Sequence, residues 1–231
     1  MQVEHPDKVE ILAKVPLFAR LSPREASALA ANVHPRNYKP GEIIFQKDDP
    51  GVIFQIILDG LVKVFVSSDE GQEAVLIILK GGEFFGELSL FDGAPRSASA
   101  AAIEATETLT IHRDDFLDFI RQHPDAALNI FAVIASRLRR ADGIIGDAAF
   151  LDLPARISKK LMELAQNFGR REGDHIEIDI RLRQQDVAGM VSATRESVNR
   201  VLTGMQEEGI IHLDRQKITI LRPDLLQARI P

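Results

Sequence analysis

Two rhythms of hydrophobic and polar positions follow one another along this chain. From about Val9 to Val33 the text is helical, and Ser22-Pro23-Arg24-Glu25 reads as an N-cap, a first-turn proline and an early acid before an alanine-rich run. From His34 to Arg113 the runs VIFQIILDG, LVKVFV and AVLIIL alternate with glycine turns, which predicts a compact antiparallel roll or barrel. After Pro124 the helical period returns. Ala127, Phe131, Ile134, Leu138, Ala141 and Ile145 are spaced 4, 3, 4, 3 and 4, a 3.5-residue seam that suits a partner helix, most simply the same helix of a second subunit. The chain's own domain could also cover such a seam. Gly143 and Gly146 weaken the helix towards its end, and Leu151-Asp152-Leu153-Pro154 reads as a hinge.

Beyond the hinge, Ala155 to Phe168 forms an amphipathic helix, and Ile176, Ile178 and Ile180 alternate as a short strand. Residues 184–206, QQDVAGMVSATRESVNRVLTGMQ, then read as helix, tight turn and helix. Val198, Val201, Leu202 and Met205 line one side of the second helix, while Arg195, Glu196, Asn199, Arg200 and Thr203 cluster on the other. Arginine can donate two bonds to guanine and glutamate can accept from cytosine, so the polar side carries chemistry for reading base edges. A solvated helical hairpin would show similar residues. The runs Ile210–Leu213 and Lys217–Leu221 flank Asp214-Arg215-Gln216 as a hairpin, and helices with a terminal hairpin make a winged helix-turn-helix.

The expected architecture is therefore α+β: an antiparallel β-roll over residues 1–124, a long dimerisation helix over 125–150, and a winged helix-turn-helix domain over 151–231. At 231 residues and 45% hydrophobic content, the chain can give each of two modest domains a core. The longest clear apolar run, Ala74 to Leu79, is far too short to span a bilayer, and the start MQVEHPDKVE lacks a secretory apolar region. No membrane partner and a cytoplasmic location follow as expectations. The net charge of -6 argues against indiscriminate coating of nucleic acid. Charge is uneven, however: residues 1–150 hold 15 basic and 22 acidic residues, residues 151–231 hold 13 and 12. Local clusters such as Arg181, Arg183, Arg195 and Arg200 can still meet phosphates, with pronounced salt dependence.

The chain has no cysteine, which removes disulfides, thiolate nucleophiles and cysteine-held metal or iron–sulfur sites. Its six histidines (His5, His34, His112, His123, His175 and His212) lack close metal-ligand spacing, so no metal is expected. No nucleophile–base pair or glycine-rich nucleotide loop stands out, and the chain reads as no enzyme.

Residues 86–97, GELSLFDGAPRS, combine a glycine, an acid, a short apolar turn and an Arg-Ser pair between roll strands. Backbone N–H groups at such a turn, with a nearby guanidinium, make a site for one phosphate anion, and Glu87 can accept from a sugar hydroxyl. In the alternative, Arg96 merely pairs with Glu87 or Asp92 on a surface turn.

With these two motifs in view, nearly the whole chain resembles the cyclic-AMP receptor protein (CRP/FNR) family of bacterial transcription regulators. The resemblance implies that Glu87 bonds the ribose 2′-hydroxyl, that Arg96 and Ser97 hold the cyclic phosphate, and that Gly86 and Leu88 offer backbone contacts. It places Arg195, Glu196 and Arg200 as base readers and Thr194 as a phosphate contact, with Asn199 beside them on the same helix. It further implies a homodimer on double-stranded DNA with inverted half-sites close to TGTGA, about 34 Å or one helical turn apart, as for the family's founding member. RNA polymerase is an implied further partner, and cyclic AMP or cyclic GMP an allosteric ligand rather than a tightly bound cofactor. Ala141 and Asp142 stand where cyclic-AMP-responsive relatives place Thr-Ser on the long helix. Asp142 can accept from a base amino group and Ala141 cannot, so another small anion, or no ligand, stays open. A regulatory module of an enzyme system is a further alternative. Ser192 stands where the family often has glycine, which predicts a strained turn.

Overall fold

Pairing between segments far apart in sequence builds the first part of the molecule. The structure, a computed structural model, describes residues 8–15, 18 and 21–230; His5 and the rest of the first seven residues lie outside the described residues, as do residues 16–17, 19–20 and 231. Two short helices open the described chain, α1 (Lys8–Lys14) and α2 (Pro23–Ala30). The expected start of α2 is a capping box: Glu25 N donates to Ser22 Oγ at 3.4 Å, and Ser22 N donates to Glu25 Oε2 at 2.7 Å.

The strands β1 (Val33–Tyr38), β2 (Ile43–Phe45), β3 (Ile53–Asp59), β4 (Leu61–Ser67), β5 (Glu73–Lys80) and β6 (Phe84–Phe85) lead to a one-turn helix, α3 (Leu88–Asp92). Then come β7 (Ser99–Ala102), β8 (Thr106–His112) and α4 (Arg113–Gln122). The strands form two antiparallel sheets in the orders β1-β8-β3-β6 and β2-β7-β4-β5. Ile57, Val62, Leu79, Phe85 and Ala100, drawn from both sheets, are buried together, so the sheets enclose a roll. A larger core joins Phe54, Phe84, Leu109 and Ile111 to Phe116 and Phe119 of α4. Ala126 and Ile130 of the long helix α5 (Pro124–Phe150) complete that core.

α5 runs unbroken through Gly143 and Gly146 for 27 residues. Its expected seam divides in two. Ile134 packs against the roll core, whereas Phe131, Leu138 and Ile145 are 61–69% exposed, as is Leu128, which the expected seam did not include. Phe131, Leu138 and Ile145 are seven residues apart, so this uncovered stripe keeps the heptad period.

The hinge is shorter than the sequence suggests. Leu153 and Pro154 already belong to α6 (Leu153–Phe168), because Asp152 caps that helix by accepting from Ala155 N at 2.9 Å and proline suits a first helical turn. Next come β9 (Gly169–Glu172), β10 (His175–Ile178), α7 (Gln184–Met190), α8 (Arg195–Glu207), β11 (Ile211–Asp214), β12 (Lys217–Ile220) and α9 (Pro223–Gln227). The order β11-β12-β10-β9 makes the wing sheet. Ile157, Leu161 and Leu164 of α6 and Val198, Leu202 and Met205 of α8 are buried, as their spacing predicts.

Contacts divide the chain into two compact units. One comprises the described parts of 1–65 with 77–138; the other comprises the hairpin tip 66–76 with 139–230.

Candidate ligand pocket and DNA-reading surface

Gly86, Glu87 and Arg96 come together within the roll unit. β6 delivers Gly86 at φ +79°, a left-handed conformation that glycine adopts without penalty. A Cβ there would lie 2.6 Å from Arg96 Nη1, so the missing side chain also makes room for the guanidinium. Arg96 is 4% exposed and donates from Nη1 to Gly86 O at 2.7 Å and from Nη2 to Ile53 O. Its guanidinium lies over the Phe45 ring at 4.3 Å. Nε is buried without a hydrogen-bond partner. Burial lowers the proton affinity of Arg96 from its ordinary value, and the charges of Glu87 and Asp49 oppose that shift. The surface-turn alternative does not fit a guanidinium so enclosed.

Glu87 is also 4% exposed, and its partner comes from α5. Arg137 Nη1 donates to Glu87 Oε1 at 2.9 Å, Nη2 donates to Phe84 O, and the guanidinium lies 5.1 Å from the Phe84 ring centre. Sequence reasoning missed Arg137. It is one of three arginines in the run RLRR at 137–140, and its place four and three residues after Val133 and Ile134, which pack against the roll core, sets it on the roll side of the helix. Ser97 and Leu88 are exposed next to these buried groups, and Asp142 is exposed on α5. With a single turn, α3 has little dipole to offer an anion, so positive charge in the pocket comes from Arg96 and Arg137.

In the second unit α7, a turn and α8 form the expected motif. Arg183 and Asp186 close the start of α7: Arg183 N donates to Asp186 Oδ2 at 3.0 Å, with Arg183 Nε adding a 3.2 Å bond. Ser192 takes φ +51°, the strained turn expected from its replacing glycine. Thr194 caps α8 by accepting from Ser197 N at 3.2 Å, so its hydroxyl already orders the start of the helix. Arg195, Glu196, Asn199 and Arg200 are all exposed on one side of α8, opposite its buried face. Gln184 Nε2 donates to Asn199 Oδ1 at 2.8 Å, which ties the two helices together on that polar side. Arg215, at φ +53°, forms the wing turn between β11 and β12.

Among the described residues there is no group of His, Asp and Glu able to hold a metal ion, and no helix is long and apolar enough to cross a membrane.

Comparison with known proteins matches both halves. The cyclic nucleotide-binding domain family covers residues 35–123, and the Crp-like helix-turn-helix domain family covers residues 155–229. A CRP-like cAMP-activated global transcriptional regulator of Mycobacterium tuberculosis is 34% identical over 220 residues, spanning 95% of this chain and 98% of that protein. The chain belongs to the CRP/FNR family. The Cyclic AMP receptor protein of Thermus thermophilus is 35% identical over 213 residues, 92% of this chain and 95% of its own. The crystal structure of Thermus thermophilus catabolite activator protein aligns at TM-score 0.52 and 34% identity, over 93% of this chain and 97% of that one. As a CRP/FNR member the chain is a DNA-binding transcription regulator with a cyclic nucleotide-binding domain, not an enzyme.

Proposed function

We propose that this chain is a homodimeric regulator whose affinity for an inverted-repeat operator is controlled by cyclic AMP. The observation that carries the reading is the buried Arg96 guanidinium with an unpartnered Nε beside the buried Glu87 carboxylate. An orphaned buried donor costs about 1–3 kcal/mol, and a cyclic phosphate oxygen would relieve it. Glu87 keeps a second carboxylate oxygen for a ribose 2′-hydroxyl while Arg137 holds the first. Ser97 and the backbone at Gly86 and Leu88 complete the set implied by the family. The cAMP-activated relative in Mycobacterium and the Cyclic AMP receptor protein of Thermus favour cyclic AMP over other anions.

At the base the chain departs from the cyclic-AMP-responsive pattern, with Ala141 and Asp142 on α5. Asp142 supplies an acceptor for an exocyclic amino group, which adenine and guanine both carry at different positions. Cyclic GMP is therefore the discriminating control. Dimerisation proceeds through the uncovered stripe Leu128, Phe131, Leu138 and Ile145, whose period suits a parallel copy. In the dimer, Arg195, Glu196, Asn199 and Arg200 from each subunit enter successive major grooves of half-sites close to TGTGA, and Thr194 meets a phosphate. RNA polymerase is the partner through which the bound dimer acts.

Calorimetry with cyclic AMP, cyclic GMP and buffer, with and without a TGTGA operator duplex, tests the reading. Linkage requires that operator raise ligand affinity by the factor by which ligand raises operator affinity. Binding of cyclic AMP with no such reciprocity would leave a constitutive DNA binder.

A further inference from the structure

We propose that the Lys159–Asp147 ion pair positions the recognition helix α8 relative to α5, and thereby sets the half-site spacing that the dimer accepts. The inference rests on the dimeric operator-binding reading above, and concerns residues that touch neither ligand nor duplex in it.

Only Leu151 and Asp152 separate α5 from α6. Leu151 N still donates to Asp147 O at 3.0 Å, and Asp152 caps α6, so the backbone pivot between the helices is confined to a few torsions. Side chains cross it. Lys159 Nζ donates to Asp147 Oδ1 at 2.7 Å, and Arg156 Nη1 reaches Ala148 O at 3.4 Å. Lys159 and Arg156 are three residues apart on α6, on one face of that helix, and their acceptors are adjacent in the last turn of α5. Two tethers from one face to one turn restrict rotation of α6 about α5 as a single bond would not.

The same cleft reaches the reading motif. Ile144, Asp147, Arg156 and Lys159 line it together with Val191 and Ser192, the start of the turn that leads into α8. α8 itself packs against α6, and Leu161 of α6 and Val198 and Leu202 of α8 are all buried. A change of angle at the pivot is therefore carried to Arg195 and Arg200. In a dimer joined along α5, that angle decides how far apart the two reading helices stand. Each base pair of added spacing moves a half-site by about 3.4 Å and rotates it around the duplex, so a stiff pivot gives a sharp spacing optimum and a loose one a broad optimum.

The ion pair is half-exposed, with side chains 37% and 27% accessible, so its removal costs little stability and leaves the fold intact. Full-length protein with cyclic AMP is to be titrated with operators whose TGTGA half-sites are separated by the optimum or by one or two base pairs more or less. Asp147→Asn and Lys159→Met are expected to lower affinity at the optimum by about twofold to fivefold, and to lower the ratio of optimal to off-by-one affinity by at least about threefold. The double reversal Asp147→Lys with Lys159→Asp is expected to restore the ratio. A ratio unchanged in both single variants overturns the proposal, as does a double reversal that stays flat.

A second readout is independent of operator. The chain has no cysteine, so fluorophores can be placed through Ala149→Cys and Thr203→Cys, both exposed, in labelled chains diluted with unlabelled protein. The distribution of distances between them is expected to widen in Asp147→Asn. If the wild-type chain binds no spaced TGTGA pair, the operator reading fails, and this distribution alone then decides the pivot: a width equal to wild type overturns the proposal.

Discussion

Arg137 holds Glu87 from a different element, across 50 residues of sequence, with Nη1 2.9 Å from the carboxylate. The pair links α5 to the turn that follows β6. Glu87 is almost wholly enclosed, so Arg137→Ala leaves a buried carboxylate without its cation, and stability should fall by about 1–3 kcal/mol after allowance for the partly open arginine. Urea denaturation measures the loss. Arg137→Lys should recover only part, because one ammonium cannot reproduce the two-armed contact to Glu87 and Phe84 O.

Cyclic AMP should raise the melting temperature of the wild type, and Arg96→Gln should abolish that rise. The amide lacks the charge that draws a phosphate. A ligand-induced rise equal to that of the wild type would show that the anion is held elsewhere.

Gly86→Ala tests the close approach itself. A methyl group 2.6 Å from Arg96 Nη1, on a residue at φ +79°, forces both the backbone and the guanidinium to shift. Left-handed strain alone amounts to about 1–2 kcal/mol. Melting temperature should drop and cyclic-AMP affinity should fall with it, both read in one thermal-shift series.

On the DNA side, Arg200→Ala should weaken binding to a TGTGA operator by about 1–3 kcal/mol and relax base preference at one position of each half-site. Thr194→Ala acts differently. It removes the cap of α8, so it should cost about 1 kcal/mol of stability as well as operator affinity. Band-shift titration against mutated half-sites, set beside denaturation curves, separates reading from capping.

The wing sheet provides a pH signature. The hydrogen bond and charge of Lys217 hold Glu177 below its usual carboxylate range, and Glu177 in turn raises Lys217. A depressed carboxylate contributes stability above its unfolded pKa and loses it as pH falls through the lower folded value. Acid unfolding of Lys217→Met should therefore show a shallower stability loss below about pH 4 than the wild type. Identical acid limbs would mean that the pair contributes nothing.

Much of this arrangement was legible in the residues. The two faces of α8 follow from Val198, Leu202 and Met205 against Arg195, Asn199 and Arg200, since helical spacing maps directly onto sides. The start of α2 at Ser22 and Glu25 was legible from local residues, whereas the strain at Ser192 was legible only through the family resemblance. Non-local relations were not. Nothing along the chain states that β8 lies between β1 and β3, because antiparallel partners are chosen by fit across long loops. β9, reading Gly-Arg-Arg-Glu and exposed throughout, carries no apolar alternation to announce a strand. Arg137 was hidden among neighbouring arginines, because sequence does not say which of several cations a buried acid will select.

Ser192 carries one last consequence. Its left-handed backbone is imposed by the tight reversal between α7 and α8, and glycine would accept that torsion freely. Hardening this regulator against heat therefore requires no new contact: Ser192→Gly removes a built-in penalty at an exposed residue, and an engineer seeking a tougher biosensor scaffold would begin there.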